Sequence, residues 1–322
     1  MHRTNWLAAI ALAIATTPVT AQTPLATTYF PVAAGVHPHD VAAATQPGGP
    51  VYYTGQAVGK LGILDPASGR SVEIALGERS APHGVIVGPD RAAWITDGGA
   101  NAIVRVDADT HTITRWVLPA SAPDANLNTP TFDRRGRLWF TGQAGYYGRL
   151  DPASGHIDIW RAPGGAGPYG MTTTPSGDVY YASLAGNHIA HVDVDTGKAT
   201  IIAPPTANQG ARRVWSDSKG NVWVSYWNTG QVGRYDPAAQ AWREWKLPGR
   251  AHAYAVWVDP DDNVWLSDWS ANAIIRFDPR TERFTAFPSD REHADVRELQ
   301  GRAHETWGAE SGTDRLVRIG RR

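Results

Sequence analysis

The 322-residue chain contains no cysteine. That excludes disulfides, a thiolate nucleophile and thiolate metal ligands, so a bound metal would have to be held by His, Asp, Glu or carbonyl oxygen. Excess charge is missing as well: 30 basic and 31 acidic residues leave a formal net charge of -1. No broad positive field is available to a polyanion, so nucleic acid is not an expected partner. Beyond the first residues no apolar run is long enough to cross a bilayer. No segment shows a 3.6-residue apolar period with helix caps. Nucleotide-binding glycine loops, the G-x-S-x-G elbow and the HExxH zinc motif are absent too.

What the chain does have is turn and ring chemistry, with 33 Gly, 23 Pro, 14 Trp and 11 Tyr. Residues 1–21 read as a secretory signal. His2 and Arg3 form a short basic start, WLAAIALAIA is the apolar stretch, and PVTA ends in small residues before Gln22. The expected organisation is a leader, 1–21, removed near Ala21, and one domain, 22–322, in a periplasm or outside the cell.

Repetition governs that domain. Six segments end alike, at Asp65 (KLGILDPASG), Asp107 (AIVRVDADT), Asp151 (YGRLDPASG), Asp193 (HIAHVDVDTG), Asp236 (QVGRYDPAA) and Asp278 (AIIRFDPRT). The intervals between them are 42, 44, 42, 43 and 42 residues, and DRLVRIG ends a seventh unit, reaching Gly320 42 positions after Asp278. Upstream of each ending an aromatic column recurs: Tyr52, Trp94, Trp139, Tyr180, Trp223, Trp265 and Trp307. Each unit reads as four short strands bounded by Asp, Pro and Gly turns. One such sheet cannot cover both of its faces, but seven packed around an axis can. The seventh unit stops one strand short, and TTYFPVAAG (27–35) has the aromatic-then-proline pattern of the missing strand. The expected fold is therefore all-β: a seven-bladed propeller of four-stranded antiparallel blades, its last blade completed by the N-terminal strand. The aromatic column is read as packing between blades.

In a propeller the starts of the innermost strands converge on the axis. Counting 11 residues back from the aromatic gives His83, Asn128, Tyr169, Arg212, Tyr254 and Val296. His39 joins them by motif, HPHDV against APHGV, with His37 beside it or on the rim. Arg213 and Arg297 are adjacent candidates. Imidazoles at such a place bind metals or move protons near neutrality, although both also serve as ordinary turn residues. A second column, three residues past the aromatic, holds Gly55, Asp97, Gly142, Ser183, Tyr226, Asp268 and Glu310. Asp97 and Glu310 are the candidate metal ligands there, and hard oxygen donors favour Mg²⁺, with Ca²⁺ as the alternative.

The combination of HPHDVA, YYTGQAVGKLGILDPASG, VWVSYWNTGQVGRYDP and WGAESGTDRLVRI resembles the virginiamycin B lyase (streptogramin B lyase) family over essentially the whole chain after the leader. The resemblance implies a seven-bladed propeller with a magnesium-assisted axial site. There a cyclic depsipeptide is opened by elimination, with removal of the proton alpha to the ester carbonyl, and not by hydrolysis. Glu310, three residues after Trp307, matches the family's metal-binding glutamate. Where the family's principal histidine is expected, this chain has Val296, followed by Arg297 and Glu298. A second family histidine falls on Tyr254, two residues from His252. The accompanying acid falls on Ala294, with Glu292, His293 and Asp295 nearby.

Two classes of function remain open on the sequence. In the first, a lyase-like enzyme opens a cyclic ester, with His39, His83, His252, Tyr254 and Arg297 as catalytic candidates and Glu310 and Asp97 holding the metal. His37, Asn128, Tyr169, Arg212, Arg213, Tyr226 and Asp268 would line its pocket. A metal-dependent lactone hydrolase is a variant of this class. In the second, a non-catalytic propeller binds a small molecule, peptide, glycan or protein.

Overall fold

A computed structural model describes residues 24–321. The expected leader lies outside the described residues. The described chain forms seven four-stranded antiparallel sheets. Blades 1 to 6 are consecutive, at 41–75, 82–117, 127–161, 168–202, 211–246 and 253–288, each with its strands paired in chain order. The seventh takes Val296–Leu299, Glu305–Glu310 and Arg315–Arg321 from the end of the chain and Leu25–Pro31 from its beginning. Leu25 lies opposite Arg321 and Pro31 opposite Arg315, with no break in register. The closing strand thus begins two residues and ends four residues earlier than the segment 27–35 that its aromatic-proline pattern suggested. Joining both chain ends in one sheet leaves no unprotected terminal blade.

The local chemistry explains why the unit repeats. At every Asp-led turn the carboxylate accepts the N–H two residues on: Ala67 to Asp65 at 2.9 Å, Ala153 to Asp151 at 2.9 Å, Arg280 to Asp278 at 2.9 Å. The aromatic column is buried throughout and packs across blade boundaries. Trp94 lies against Leu138, Phe140 and Tyr146 of blade 3, and Trp223 against Val264, Leu266 and Phe277 of blade 6. The indole N–H that such burial would strand is taken up by an acid just upstream. Asp90, Asp133, Asp217 and Asp259 accept it from Trp94, Trp139, Trp223 and Trp265 at 2.9, 2.8, 2.9 and 2.8 Å.

One irregularity aims the site. In blades 2 to 7 the innermost strand slips register near its start. A bulge leaves an extra residue on that strand and re-aims its side chains. Hydroxyls two residues beyond the aromatic column complete the bulges. Thr54, Thr96, Thr141 and Ser225 accept the N–H groups of Asp40, Gly84, Thr129 and Arg213 at 3.0, 3.0, 3.1 and 3.1 Å. The same hydroxyls donate onward to a carbonyl of the next blade. Thr54 reaches His83 at 2.7 Å and Ser225 reaches Tyr254 at 2.7 Å, while Thr96 and Thr141 reach Asn128 and Tyr169. Each tie fixes one bulge against its neighbour, which makes the axial side chains a rigid set.

Candidate functional site

The bulges place two layers of side chains at the axis. The register assigns His39, His83, Asn128, Tyr169, Arg212, Tyr254 and Arg297 to the entrance layer. The next residue in each blade forms a layer beneath: Asp40, Gly84, Thr129, Gly170, Arg213, Ala255 and Glu298. Blade 7 corrects the count from the aromatic. Val296 pairs with Glu310 as Ala211 pairs with Tyr226, so the entrance residue is Arg297. The connection to Trp307 is one residue shorter than its counterparts. Val296 itself packs with Ala255, Trp257 and Ile274 in the core between blades.

In the entrance layer the His39 and His83 rings lie 4.0 Å apart, centroid to centroid, tilted by 52°. The Tyr169 hydroxyl meets the Tyr254 hydroxyl at 2.8 Å, and Arg212 donates to Tyr169 at 2.9 Å. The Arg212 guanidinium lies 3.6 Å from the Tyr254 ring centroid and 5.0 Å from that of Trp227. Tyr254 also stacks on Trp269 at 4.9 Å, and Arg297 stands over Trp269 at 5.3 Å while its Nε donates to Ser311 at 3.0 Å. Neither Arg212 nor Arg297 has a carboxylate partner among the described residues. The result is a closed, aromatic-walled polar floor that carries two unneutralised guanidiniums.

Beneath it one cation organises the axis. Arg213, 2% exposed, donates to both oxygens of Asp40 at 2.8 and 3.3 Å and to Thr129 Oγ1 at 2.7 Å. Its Nε approaches Glu298 Oε2 at 2.8 Å without hydrogen-bond alignment. The small residues Gly84, Gly170 and Ala255 share this layer, and a Cβ on Gly170 would lie 2.6 Å from Arg213 Cα. Below, a cavity of about 250 Å³ runs past Pro130, Met171, Phe132 and Trp215.

Burial and charge set the protonation states. Desolvation pushes His39 below the usual histidine value, outweighing the hydrogen bond from its Nδ1 to Asp40 at 2.9 Å, and the Arg297 and Arg213 charges act the same way. Burial holds His83 well below that value, with the His39 charge as the next cause. Both rings are neutral near pH 7. For Asp40 burial favours protonation, but the Arg213 charge and the His39 hydrogen bond outweigh it and keep the carboxylate ionised. Glu298 goes the other way: burial pushes it up to about 8 despite Arg213, and the Asp40 charge acts in the same direction as burial. Burial also raises the Tyr169 phenol.

His39, Asp40 and His83 offer ligand atoms within 4.8 Å of one another, so the donors for a metal ion are present here. The proposed second column lies elsewhere. Glu310 is buried, but its carboxylate is bonded by Arg315 at 2.6 and 2.9 Å, by Thr313 at 2.8 Å and by Ser289 at 2.9 Å. Asp97 accepts from Ser80 Oγ and from the N–H groups of Ala81 and Ala100. Asp268 holds the N–H groups of His252, Ser270 and Ala271. These acids tie their own loops, since the end of the second strand faces the following turn and not the axis. Tyr226 is packed in the core between blades 4 and 5. His37 is exposed, with Nδ1 on the Ser311 carbonyl at 2.9 Å, and His252 is exposed and stacked on Trp227 at 4.9 Å, so both belong to the rim.

Three axial groups escaped the sequence reading: Asp40, Thr129 and Glu298. Strict strand alternation turns the residue after an inward one away, and only the bulge brings it back. The Thr or Ser two residues past the aromatic in five of the seven blades was the available signal for Asp40 and Thr129, but Ala309 in blade 7 gave none for Glu298. A larger cleft of about 490 Å³, walled by Trp215, Trp257, Asp217 and Asp259 at the other end of the blades, contains no imidazole. The entrance layers are therefore the better candidate for chemistry.

The fold has counterparts among solved structures. The solved "Streptogramin B lyase structure" superposes with a TM-score of 0.83 at 22% identity, covering 92% of this chain and 97% of that one. Virginiamycin B lyase from Staphylococcus aureus gives 0.83 at 19% identity, covering 92% and 99%. A catalytically inactive histidine-to-alanine variant of that enzyme, solved with quinupristin, gives the same values. No curated protein matches the chain. The sequence model of the Virginiamycin B lyase family matches residues 21–253, which takes in blades 1 to 5 with His39, His83 and Arg213 and stops short of Arg297 and Glu310. The chain belongs to the virginiamycin B lyase family.

Proposed function

We propose that the protein is a lyase-type enzyme that opens a cyclic ester, a depsipeptide or a lactone, by elimination at the entrance of the propeller. One observation carries this: two neutral imidazoles, His39 and His83, in contact in the same layer as an unpaired guanidinium, Arg297. His39 takes the proton from a carbon next to a carbonyl. The freed electron pair forms the carbon–carbon double bond, and the adjacent carbon–oxygen bond breaks to release a carboxyl end. Arg297 holds the carbonyl oxygen as charge develops on it, and His83 faces the departing oxygen. The aromatic wall of Tyr254, Trp227 and Trp269 receives the apolar part of the ring.

Magnesium does not fit these residues. It takes oxygen ligands in near-octahedral geometry, whereas the axial cluster offers two imidazoles and a carboxylate already committed to Arg213. The Glu310 carboxylate is occupied by Arg315. No step in this proposal passes through a metal. The segment 1–21 supports a periplasmic or extracellular place of action.

The test is incubation with cyclic depsipeptides and simple lactones, followed by product mass and ultraviolet absorbance. Elimination gives an unsaturated product of unchanged total mass, and hydrolysis adds one water. The closed Tyr169–Tyr254 contact favours a second reading, a binding propeller. Quenching of tryptophan fluorescence by the cyclic ester without any product would select it and remove the lyase proposal.

A further inference from the structure

We propose that Arg213 is a positioning residue that decides which edge of each imidazole is free, leaving His39 with an open acceptor and His83 with an open donor. Two arms of one guanidinium do this. On the first, Arg213 donates to both oxygens of Asp40, an ion pair in which the carboxylate only accepts. The proton of His39 therefore sits on Nδ1, 2.9 Å from Asp40, and the lone pair is on Nε2. That nitrogen has no partner among the described residues.

On the second arm, Arg213 donates to Thr129 Oγ1 at 2.7 Å. The single proton of that hydroxyl then goes to Asn128 Oδ1 at 2.9 Å. With its oxygen engaged, the carboxamide turns Nδ2 toward His83 Nε2 at 3.1 Å, an orientation fixed by this network. An amide nitrogen only donates, so His83 Nε2 carries the lone pair and Nδ1 carries the proton. Nδ1 is buried and has no partner among the described residues. Both rings thus hold the same tautomer, yet they present opposite edges. Two chemically identical side chains become a base and a hydrogen-bond donor because one cation beneath them is wired to each by a different route.

The tautomer assignment stands on geometry alone, while its catalytic meaning rests on the elimination reading. The test separates the two. Two-bond proton–nitrogen correlation spectra of the ¹⁵N-labelled protein at pH 7, assigned through His39→Gln and His83→Gln, should show both rings protonated at Nδ1. Thr129→Val should turn His83 into a mixture of tautomers and leave His39 as it was. Asp40→Asn should disturb His39 and spare His83, and Arg213→Lys should disturb both. An Nε2-protonated or imidazolium ring in the unmodified protein, or an unchanged His83 in Thr129→Val, would overturn the proposal. If Arg213→Lys fails to fold, the other two variants decide. Spectra as expected in a protein that turns over no cyclic ester would sink the elimination reading and keep this one. With turnover, Thr129→Val should lower kcat at least about tenfold, with KM little changed.

Discussion

Arg213 crosses the propeller axis to meet Asp40, 173 positions earlier in the chain, with Nη2 and Oδ1 2.8 Å apart. Only closure of the ring brings these two residues together, and neither side chain is more than 4% exposed. Replacing Arg213 by Met strands the ionised Asp40 in the interior, where an unpaired charge is costly. The expected loss is about 3–5 kcal/mol in urea unfolding. The exposed pair Arg91–Asp109 is the contrast, and Arg91→Ala should leave the urea midpoint where it was. Equal midpoints for the two variants would mean that the axial pair is not structurally important.

Glu298 makes stability depend on pH in an unusual direction. Burial pushes its carboxyl up to about 8 in the folded protein, from the ordinary 4.5 of an exposed glutamate. The folded state binds more protons in that interval, so this contribution is complete below 4.5 and is lost as pH rises through 8. Glu298→Gln keeps the neutral shape. Relative to it, the unmodified protein should weaken between pH 5 and pH 9, by on the order of a few kcal/mol. His39 and His83 act oppositely: their lowered values give stability that is present above 6.5 and lost as pH falls below it. Thermal unfolding of both proteins across this range is the measurement. A constant difference between them would show that Glu298 is ionised throughout.

For Glu310 the structure and the family resemblance lead to different outcomes. A metal ligand replaced by Ala would abolish divalent-metal affinity. A carboxylate buried against Arg315 would instead cost stability, on the order of a few kcal/mol, because the buried guanidinium would keep only the exposed Asp290 as an ionic partner. We expect the second result, with calorimetric Mg²⁺ titrations indistinguishable before and after the change. Any Mg²⁺ affinity that vanished with Glu310 would restore the carboxylate as a ligand.

His39→Gln should reduce turnover of a cyclic ester by roughly 10²–10⁴-fold if the ring is the base. His252→Gln, on the exposed rim, should change it little. Steady-state kinetics on the same substrate compare the two, and equal losses would argue against a dedicated base at His39.

Much of this molecule was legible before its structure because repetition is a global signal. Seven aromatics at one interval, and a unit that ends a strand early, fix both the number of blades and the way the ring closes. The entrance layer was legible for the same reason, since a constant offset carries one residue per blade to the axis. The offset failed in blade 1, where an insertion puts His39 13 residues before Tyr52, and in blade 7, where a connection one residue shorter exchanges Val296 for Arg297. It also missed Asp40, Thr129 and Glu298, because a bulge does not alter the repeat length and so leaves no mark on periodicity. The acids of the second column attracted attention by charge alone. What they do depends on Arg315, Ser80 and local N–H groups, which strand spacing does not reveal.

The hydroxyl ties between neighbouring blades have a mechanical corollary. They join blades 1 to 4 through Thr54, Thr96 and Thr141, and blade 5 to blade 6 through Ser225. Ala182 and Ala309 stand at the corresponding places in blades 4 and 7 and supply no such link. The propeller is thus stitched into two arcs, blades 1 to 4 and blades 5 and 6, and one of the seams falls between Tyr169 and Arg212. A guest wedging itself between those two side chains would part the arcs at this seam, against the cross-brace of Arg213, before it disturbed the two histidines.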